Sequence, residues 1–395
     1  MKNIAIINVL QEKSTGKIAF NLLNQLSDKG YNVTFFYGRG DKSSDERLIR
    51  IDTPIEFYVH AFLARLTGLQ GSFSCFATER MLKKIKKRNV DTIILINPHA
   101  YYLNEKRLYS FVAQNNLRFI NIIPDEYSYL GRCAVSPQCE RYKTGNGKCP
   151  NIHSYPNSWF FDPCPLIMQR KENCYKQLKR AKFVGPGFVI DNLKNSYLGQ
   201  FMPSSVLDEA INMRLYHPCE TKELKEKLGI ADEKIVVLCI APPYKGVGYF
   251  KQVAAHFKDD GRYVFVHVGK DEETLNQSNY IHVSYVKENS DLAIFYSMAD
   301  LFLFPSLADT MSNACLESLA CGTPLLVFNI SGMPYLLDDT VGTLVEPRDV
   351  EGLITVVSRT EKKTKDTIAR CRTYAEKRFD MDNYADKVIE IANGI

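Results

Sequence analysis

Short apolar segments alternate along the whole chain with longer stretches in which apolar residues recur every three or four positions. Short apolar runs are typical of buried strands, and the longer periodic stretches are typical of helices that pack against them. Regular alternation of the two favours parallel sheets whose strands are joined by helical crossovers. The pattern therefore predicts an α/β fold.

The predicted strands fall into two groups. The first group is Asn3–Asn8, Asn32–Tyr37, Thr92–Ile96, Arg118–Ile123 and Lys182–Gly185. The second group is Lys234–Ile240, Tyr263–Val268, Ile281–Tyr285, Leu301–Phe304, Pro324–Phe328 and Gly342–Val345. A less regular polar stretch, Asn212–Lys227, separates the groups and is interpreted as a hinge.

The length of 395 residues exceeds what a single ordinary core supports, so two domains are expected. Their predicted bounds are 1–212 and 213–375. The remaining residues, 376–395, are expected to form a C-terminal helix that packs back toward the first domain.

The segment Pro305–Leu337 carries the densest candidate chemistry. A polar loop containing Asp309 follows an apolar strand and leads into a predicted helix that contains Glu317. Ser312 or Asn313 is the expected N-cap of that helix. The start of a helix after a parallel strand offers unpaired backbone N–H groups that bind anions. Taken alone, the two carboxylates either belong to a ligand site or simply favour the helix dipole.

Small and polar residues also follow strands of the first group. Ser14, Thr15 and Gly16 form a turn after the first strand, where a phosphate or a sugar could approach the backbone closely. The upstream glycine that a P-loop requires is absent. His99 follows the strand Thr92–Ile96, where a neutral imidazole could hydrogen-bond a hydroxyl. The alternatives are an ordinary strand–helix turn and a packed or capping histidine.

In the second group Lys245 follows a predicted strand and begins a predicted helix. A lysine there can neutralise a diphosphate leaving group as negative charge accumulates on it, whereas the alternative is a solvated side chain at a helix end. Lys270 follows the next strand and is a second candidate cation. Tyr285 and Val286 precede a helix at a position where backbone groups could contact a nucleotide base.

The 11 cysteines are scattered over a long chain and do not resemble a disulfide framework. Several fall in or near an irregular segment, residues 125–162, and could close a tetrahedral zinc site. The candidate ligands are Cys133, Cys139 and Cys149, with His153 or Cys164 as the fourth. The alternative is a set of reduced, partly buried thiols.

Charge and hydropathy exclude several classes of protein. A net charge of +5 is too small to indicate nucleic-acid binding. No run of eighteen apolar residues is present, and the N-terminus enters a strand directly, so a cytoplasmic protein is expected. A predicted helix, Thr78–Arg88, carries six lysines and arginines, which either face solvent or bind an anionic lipid surface. An Asp-x-Asp pattern occurs only at Asp380–Asp382, where helix capping explains it, so we expect a donor site without a catalytic metal.

The run from Glu317 to Pro324, Glu-Ser-Leu-Ala-Cys-Gly-Thr-Pro, together with Asp309 and Asn313, resembles the signature of retaining glycosyltransferase family 4. The subgroup it resembles makes bacterial capsule, exopolysaccharide and colanic-acid-type glycans. That subgroup has similar sequences at Ser14–Gly16, Tyr37–Gly40, Asn97–Asn104 and Cys133–Ser158. The resemblance implies a GT-B fold, in which two Rossmann-like domains with parallel sheets face a central cleft.

The resemblance also implies roles for the candidate residues. Glu317 would bind the ribose and Asp309 would contact the donor hexose. Lys245 and the turn at Gly16 would hold the diphosphate of a UDP- or GDP-sugar. On the acceptor side the family commonly has a His-Asp pair, of which this chain keeps only Asp125, so the acceptor hydrogen bonding would have to be rebuilt with Asp125, Glu126 or His99.

The implied reaction is transfer of a hexose, with retention and without a catalytic metal, to a growing, lipid-linked surface glycan at the inner membrane leaflet. The chain departs from the family at four places. Pro124 replaces the histidine, Ile240 replaces an arginine, Ala308 replaces a loop glutamate, and Asn146 replaces a cysteine of the insert. These departures motivate an alternative, a non-catalytic nucleotide-sugar or glycan-binding subunit of a polysaccharide assembly complex.

Overall fold

A computed structural model describes residues 2–11, 15–134, 139–145, 149–271 and 274–395. The chain forms two compact units. The first comprises Met1–Glu209 and Asp382–Ile395, and the second comprises Ala210–Met381. The observed division lies three residues before the boundary expected from the sequence.

The first unit is built on a parallel sheet of seven strands. They are β1 Asn3–Leu10, β2 Asn32–Arg39, β3 Leu48–Arg50, β4 Thr92–Ile96, β5 Arg118–Ile122, β6 Ala181–Gly185 and β7 Ser204–Val206. Their order in the sheet is β3-β2-β1-β4-β5-β6-β7. β1 is central and buried along nearly its whole length, as expected for a strand covered on both faces.

Helices connect the strands of this sheet. They are α1 Thr15–Asp28, α2 Pro54–Thr67, α3 Cys75–Lys87, α4 Glu105–Gln114, α5 Arg141–Thr144, α6 Cys164–Tyr175 and α7 Gly187–Lys194, with 3₁₀ turns at Glu126–Ser128 and Tyr197–Phe201. The limits of α2 follow from its sequence. Thr53 and Glu56 form a capping box at its start, and Gly68, at φ +75°, ends it.

The second unit has a parallel sheet of six strands. They are β8 Ile235–Ile240, β9 Tyr263–Val268, β10 Tyr280–Val283, β11 Leu301–Phe304, β12 Leu325–Phe328 and β13 Gly342–Val345. The order is β10-β9-β8-β11-β12-β13. Its helices are α8 Lys222–Leu228, α9 Val247–His256, α10 Asn289–Met298, α11 Asn313–Ala320, α12 Met333–Leu336, α13 Val350–Ser358 and α14 Lys365–Phe379, with a 3₁₀ turn at Pro243–Lys245.

The last helix, α15 Met381–Asn393, belongs to the first unit from Asp382 onward. The Gln25 amide donates a hydrogen bond to Asp382 Oδ1 at 3.1 Å, and Lys29 Nζ lies 2.7 Å from Asp386 Oδ1. Arg180 donates to the carbonyl oxygen of Ile395 at 2.9 Å. These contacts tie the C-terminal helix to α1 and the turn after it and to the residue just before β6.

The polar stretch Asn212–Lys227, predicted as a hinge, lies inside the second unit. Arg372 donates to the carbonyl oxygens of Met213 at 3.1 Å and of Tyr216 at 2.6 Å. Side-chain bonds of this kind hold its first part, and residues 222–227 form most of α8.

In each sheet the strand succession reverses at one point, between β1 and β4 in the first unit and between β8 and β11 in the second. Open parallel sheets bind ligands beyond the carboxyl ends of the strands at such a reversal. The predicted α/β architecture with two Rossmann-like domains is confirmed. The loops after β1, β4, β8 and β11 are therefore where a site is expected.

Candidate functional site

In the second unit the loops after β8 and β11 bring two predicted site residues into contact. Lys245 Nζ lies 2.7 Å from Asp309 Oδ2 and donates a second hydrogen bond to the carbonyl oxygen of Ala308 at 3.2 Å. Both side chains remain partly exposed, at 26% and 15%. A cation and a carboxylate thus stand together at the point where the strand order of this sheet reverses.

Gly246 explains how the lysine reaches the aspartate. Its backbone adopts φ +88°, and a Cβ at this position would lie only 1.9 Å from the carbonyl oxygen of Pro305. A residue without a side chain therefore lets the turn after β8 pack directly on the end of β11. The close approach of the two loops sets the distance between Lys245 and Asp309.

A second glycine fixes the loop of Asp309 from the other side. The Gly332 N–H donates to the carbonyl oxygen of Asp309 at 2.9 Å. A Cβ at Gly332 would lie 1.7 Å from the carbonyl oxygen of Thr310. The turn after β12 therefore holds the loop after β11 by backbone contact alone.

Glu317 lies in the second turn of α11 and is half-buried. Its Oε2 accepts a hydrogen bond from the hydroxyl of Tyr296 at 2.8 Å. Burial and the neighbouring Glu317 carboxylate raise the pKa values of Tyr296 and Tyr216, so both phenols stay protonated and able to donate. The Tyr296 hydroxyl therefore orients the carboxylate, whose two oxygens can together accept more than one hydrogen bond.

The start of α11 has the form expected of an anion site. Ser312 is the N-cap residue and is buried, but its side chain makes no capping hydrogen bond. Asn313 is the first helical residue and is exposed. The first backbone N–H groups of the helix are therefore not closed off by a side-chain cap.

The other residues predicted for this half lie on loops of the same sheet. Lys270 follows β9 and is exposed, and Tyr285 follows β10 with 74% of its side chain exposed. Val286 packs partly against the core. None of these three is placed in contact with Lys245 or Asp309 by a hydrogen bond or an ion pair among the described residues, so their roles stay predictions.

A buried polar cluster at the end of β9 was not found from the sequence. His267 Nδ1 lies 3.6 Å from Asp271 Oδ2, and the rings of His267 and His282 stack at 5.3 Å. Lys251 Nζ already pairs with Asp271 Oδ1 at 2.7 Å. Burial lowers the pKa of His267, so it is neutral and fits a structural hydrogen-bond network. The two histidines belong to separate strands, and nothing in their spacing indicates that they meet.

In the first unit the structure pairs His99 with Asp125. His99 Nε2 lies 2.7 Å from Asp125 Oδ2, and Asp125 Oδ1 accepts from the backbone N–H of Tyr127 at 3.0 Å. The imidazole is buried at 6% exposure, while 18% of the aspartate side chain is exposed. His99 reaches Asp125 from the loop after β4, the strand next to β5 in the sheet.

The loop that carries His99 is held in an uncommon backbone conformation. Asn97, Ala100 and Tyr101 have φ values of +51°, +74° and +69°, in the left-handed region that residues other than glycine rarely adopt. Tyr102 is fully buried and donates its hydroxyl to the carbonyl oxygen of Asn97 at 3.0 Å. Strained backbone of this kind collects at ligand sites, which supports a functional role for the loop.

The turn after β1 is more tightly packed than the sequence suggests. The Thr15 hydroxyl donates to Asn8 Oδ1 at 3.2 Å, and Thr15 is buried. A Cβ at Gly16 would lie 2.8 Å from the carbonyl oxygen of Leu10. Helix–strand packing therefore accounts for the glycine. Ser14, predicted with them, lies outside the described residues.

All described cysteines are free thiols. Burial raises the pKa of the Cys133 thiol to about 11, so it is protonated and unreactive near neutral pH. Cys133, Cys139, Cys149 and Cys164 line one cavity of about 20 Å³, which His153 does not line. Of the two fourth ligands considered, the structure thus brings Cys164 to the cluster. Asn146 lies outside the described residues.

The basic helix predicted at Thr78–Arg88 is α3. Arg80 pairs with Glu56 at 2.6 Å. Lys83 and Lys86 line a groove of about 800 Å³ between α3 and α4.

Exposed apolar side chains lie on α2 and on the chain around residue 160, and we call them together the α2 apolar surface. Its exposed members are Ile55, Tyr58, Val59, Phe62, Trp159, Phe160, Phe161 and Leu166. The rings of Phe62 and Trp159 lie 5.8 Å apart, and the Trp159 N–H donates to the carbonyl oxygen of Arg65 at 2.7 Å. Among the described residues, no helix has both the length and the apolar character needed to cross a bilayer.

Known proteins resemble the chain in sequence. Residues 220–378 match the family model described as Glycosyl transferases group 1. Over 368 residues the chain is 23% identical to an uncharacterized glycosyltransferase of Haemophilus influenzae, covering 90% of this chain and 89% of that protein. It is 22% identical over 372 residues to the putative colanic acid biosynthesis glycosyl transferase WcaC of Escherichia coli K12, covering 89% of each. It is 27% identical over 209 residues to the UDP-Gal:alpha-D-GlcNAc-diphosphoundecaprenol alpha-1,3-galactosyltransferase of Escherichia coli, covering 48% of this chain and 54% of that one.

Solved structures resemble the chain over its whole length. Sucrose-phosphate synthase from Thermosynechococcus elongatus has a TM-score of 0.67 at 14% identity, covering 100% of this chain and 99% of that one. Anabaena HepE in complex with UDP has a TM-score of 0.67 at 13% identity, covering 100% of both chains. WaaG, a glycosyltransferase involved in lipopolysaccharide biosynthesis, has a TM-score of 0.64 at 15% identity, covering 99% of this chain and 100% of that one. The chain therefore has the GT-B fold of these glycosyltransferases, and its residues 220–378 match the glycosyl transferases group 1 family model.

Proposed function

We propose that this protein is a glycosyltransferase of bacterial polysaccharide biosynthesis that transfers a hexose from a nucleoside-diphosphate sugar to a growing, lipid-linked glycan. The observation that carries the proposal is the contact between Lys245 and Asp309 at the strand-order reversal of the second sheet, with Glu317 one helix turn further on. A cation, a carboxylate and a hydrogen-bonded glutamate are the groups that a sugar nucleotide requires.

Each of these groups has a distinct task in the proposed site. Lys245 meets the diphosphate, whose charge grows as the sugar leaves. Asp309, already held by backbone contacts on both sides, accepts hydrogen bonds from hydroxyls of the hexose. Glu317 accepts from the ribose hydroxyls, and the bond from Tyr296 keeps its carboxylate oriented before the ligand arrives.

The proposed reaction retains the configuration of the sugar and uses no catalytic metal. The acceptor oxygen forms a bond to the anomeric carbon on the face from which the diphosphate departs. The bond between that carbon and the phosphate oxygen breaks, and its electron pair stays on the phosphate. The proton of the acceptor hydroxyl passes to a phosphate oxygen, so the products are the extended glycan and the nucleoside diphosphate.

His99 and Asp125 are proposed to act on the acceptor. The carboxylate holds the ring through Nε2, and the buried Nδ1 has no hydrogen-bond partner among the described residues. An acceptor hydroxyl would satisfy that nitrogen, which is otherwise costly to leave unpaired. This geometry supports orientation of the acceptor by His99.

The names of similar proteins support the chemistry of the substrates. Anabaena HepE binds UDP, and the Escherichia coli galactosyltransferase acts on a diphosphoundecaprenol-linked sugar. We infer a nucleotide-sugar donor and a lipid-linked acceptor for this chain. Thermal shift with UDP- and GDP-sugars would identify the donor, because a ligand at 100 times its Kd stabilises the folded state by about 2.7 kcal/mol.

Substitution of the donor residues tests the assignment. Glu317→Ala and Lys245→Ala should each lower kcat/KM at least tenfold, since a hydrogen bond to a charged group contributes about 1.5–3 kcal/mol. The matched control is Lys362→Ala. Lys362 also pairs with an aspartate, Asp300, but at the opposite end of β11, with Nζ 3.4 Å from Oδ2. It should leave transfer unchanged.

Full transfer by Glu317→Ala would refute the assignment. Binding of a sugar nucleotide without transfer to any lipid-linked acceptor would instead favour the non-catalytic subunit. Hydrolysis of the donor by the wild-type chain, lost in Lys245→Ala, would count against that alternative.

We also infer that the first unit rests on the surface of an anionic bilayer through the α2 apolar surface. Ile55, Tyr58, Val59 and Phe62 follow helical spacing, so they lie on one exposed face of α2. An aromatic, solvent-exposed helix face is typical of interfacial helices, and Lys83 and Lys86 of α3 are candidate cations of the same unit for the lipid headgroups. Such contact would place the enzyme beside a lipid-linked acceptor.

Sedimentation with vesicles tests this contact. The double variant Tyr58→Ser/Phe62→Ser should bind phosphatidylglycerol vesicles at least tenfold more weakly than wild type. Lys83→Ala/Lys86→Ala should weaken binding at least tenfold, because each cation contributes about 1 kcal/mol. This effect should appear only with vesicles of anionic lipid. Val206→Ser, an exposed apolar site elsewhere in this unit, is the control. A concentration-dependent dimer abolished by Tyr58→Ser/Phe62→Ser would show that a second copy covers the surface instead.

A further inference from the structure

Four thiols converge on one small cavity in the first unit, away from His99 and Asp125. They are Cys133, Cys139, Cys149 and Cys164, and the cavity between them has a volume of about 20 Å³. That volume is about what one water molecule needs, and it is far too small for an organic ligand. The four positions span more than thirty residues of the chain, so only the tertiary fold unites them.

Two of the four sulfurs, those of Cys149 and Cys164, already lie close together, while Cys133 and Cys139 line the same cavity. Sγ of Cys149, Sγ of Cys164 and a carboxylate oxygen of Asp162 all lie within 4.8 Å of one another. A Cβ at Gly131 would lie 2.9 Å from Cβ and 3.0 Å from Sγ of Cys164. Glycine at this position therefore allows the start of α6 to pack against the backbone just before Cys133.

The wall of the cavity contains a buried positive charge. Arg132 is completely buried and lines the cavity, with Nη2 3.9 Å from Sγ of Cys149. Its other hydrogen bonds go to the carbonyl oxygens of Asn151, Ser154 and Pro156. No carboxylate among the described residues lies within ion-pair distance of it. A buried cation without an anion is costly, so the pocket calls for negative charge.

Lys171 adds a second buried cation to this region. Its side chain is buried, and Nζ donates to the carbonyl oxygens of Tyr127, Leu130 and Gly131. Leu130 and Gly131 are themselves part of the cavity wall. Four neutral thiols carry no charge to balance these two cations, whereas four thiolates around a divalent ion carry a net charge of −2.

We propose that Cys133, Cys139, Cys149 and Cys164 bind one structural Zn²⁺ ion in tetrahedral geometry. Four sulfur ligands close the coordination sphere and leave no open position, which is the pattern of a structural site and not of a catalytic one. The net negative cluster would neutralise Arg132 and Lys171. The ion would tie the irregular chain between β5 and α6 to the first turn of α6.

Asp162 positions two of the ligands and is not itself one in this proposal. Its Oδ2 accepts from the backbone N–H of Cys149 at 2.6 Å, and its Oδ1 accepts from the backbone N–H of Cys164 at 3.2 Å. Arg141 Nη1 also contacts Oδ2, at 3.4 Å. With both oxygens engaged, the carboxylate holds the backbone of the two cysteines in register.

The metal content of the purified chain tests the proposal directly. Wild-type protein prepared with zinc in the medium should contain about one equivalent of Zn²⁺ per chain, measured by plasma mass spectrometry. Reconstitution with Co²⁺ should give the visible absorption of tetrahedral four-sulfur ligation. Cys133→Ser and Cys164→Ser should each retain less than about a tenth of the zinc.

Cys174→Ser is the matched control. Cys174 is also a buried thiol of α6, but it does not line the cavity. This variant should keep the full zinc content.

Three results would overturn the proposal: wild-type protein without stoichiometric zinc, full zinc retention by Cys164→Ser, or a disulfide among the four cysteines after purification without reductant. The wild-type zinc and Co²⁺ measurements decide the question even if a cysteine variant fails to fold.

Discussion

Replacement of Gly246 by alanine tests the proposed site at the point where two loops meet. The residue adopts φ +88°, so any side chain there costs about 1–2 kcal/mol in backbone strain alone. The new Cβ would also lie 1.9 Å from the carbonyl oxygen of Pro305, about 1.5 Å short of ordinary van der Waals contact. The atoms that this Cβ would meet belong to the backbone of Pro305 and Ser306, so the turn must move as a whole.

The movement should be felt first in activity. A shift of about 1 Å would separate Lys245 from Asp309, which now lie 2.7 Å apart. Misplacement of that size in a transfer site costs about 10²-fold in rate. Overpacking adds about 1–3 kcal/mol to the backbone strain, so the total loss of stability should be about 2–5 kcal/mol. The Tm should fall by about 2–4 °C for each kcal/mol.

Gly248→Ala is the matched control, two residues further along. A Cβ at Gly248 would meet nothing within 4 Å, and the residue lies in the first turn of α9 with ordinary φ. Alanine there should leave transfer unchanged and the Tm equal or slightly higher. Initial transfer rates and thermal denaturation of the two variants form the assay. Equal activity of Gly246→Ala and wild type, or an equal loss in Gly248→Ala, would refute the reasoning.

Three further substitutions give separate readouts. Burial raises the pKa of Asp52 to about 7, so its protonated form stabilises the fold at low pH, and that contribution is lost as the pH rises toward 7. In urea denaturation Asp52→Asn should therefore be more stable than wild type at pH 8, by on the order of 2–4 kcal/mol, and equally stable near pH 4. Asp125→Asn releases the ring of His99, and it should lower transfer about 10- to 100-fold while leaving the affinity for the nucleotide, measured by calorimetry, unchanged; weaker nucleotide binding would contradict the acceptor role. Tyr296→Phe removes one hydrogen bond to Glu317, so nucleotide affinity should fall by about fivefold, near 1 kcal/mol, and no change would show that the tyrosine does not orient the carboxylate.

The sequence predicts most of the framework because strands and helices carry their own periodicity. Thr92–Ile96, Tyr263–Val268, Leu301–Phe304 and Gly342–Val345 begin and end as predicted, and other predicted strands differ by one or two residues at their ends. β3 and β7 were missed, since three residues are too few to show a pattern. The α/β class and the GT-B fold are confirmed on this basis.

Surfaces were predicted less well than strands. The sequence directed attention to the cations of α3, because charges are conspicuous in a sequence. It gave no sign that α2 exposes Tyr58 and Phe62, since an apolar helix face looks the same whether it is buried or exposed. Which face of a helix meets solvent depends on what the rest of the chain packs against it.

For the candidate site too, the sequence and the tertiary structure each supply a different part. The sequence by itself singled out Lys245, Asp309 and His99 as candidates because they follow predicted parallel strands, Glu317 because it lies near the start of the helix after such a strand, and Asp125 through the family resemblance. Only the tertiary structure decided their partners. It pairs residues that lie 64 positions apart in the second unit and 26 apart in the first, and it gathers four cysteines around one cavity.

The physical reason is the range of the forces involved. Hydrophobic periodicity, caps and turns act between residues a few positions apart, so a single sequence displays them. The distance between Lys245 and Asp309 depends on how far Gly246 lets two backbones approach, and such a distance is set only when strands distant in the sequence pair in the sheet.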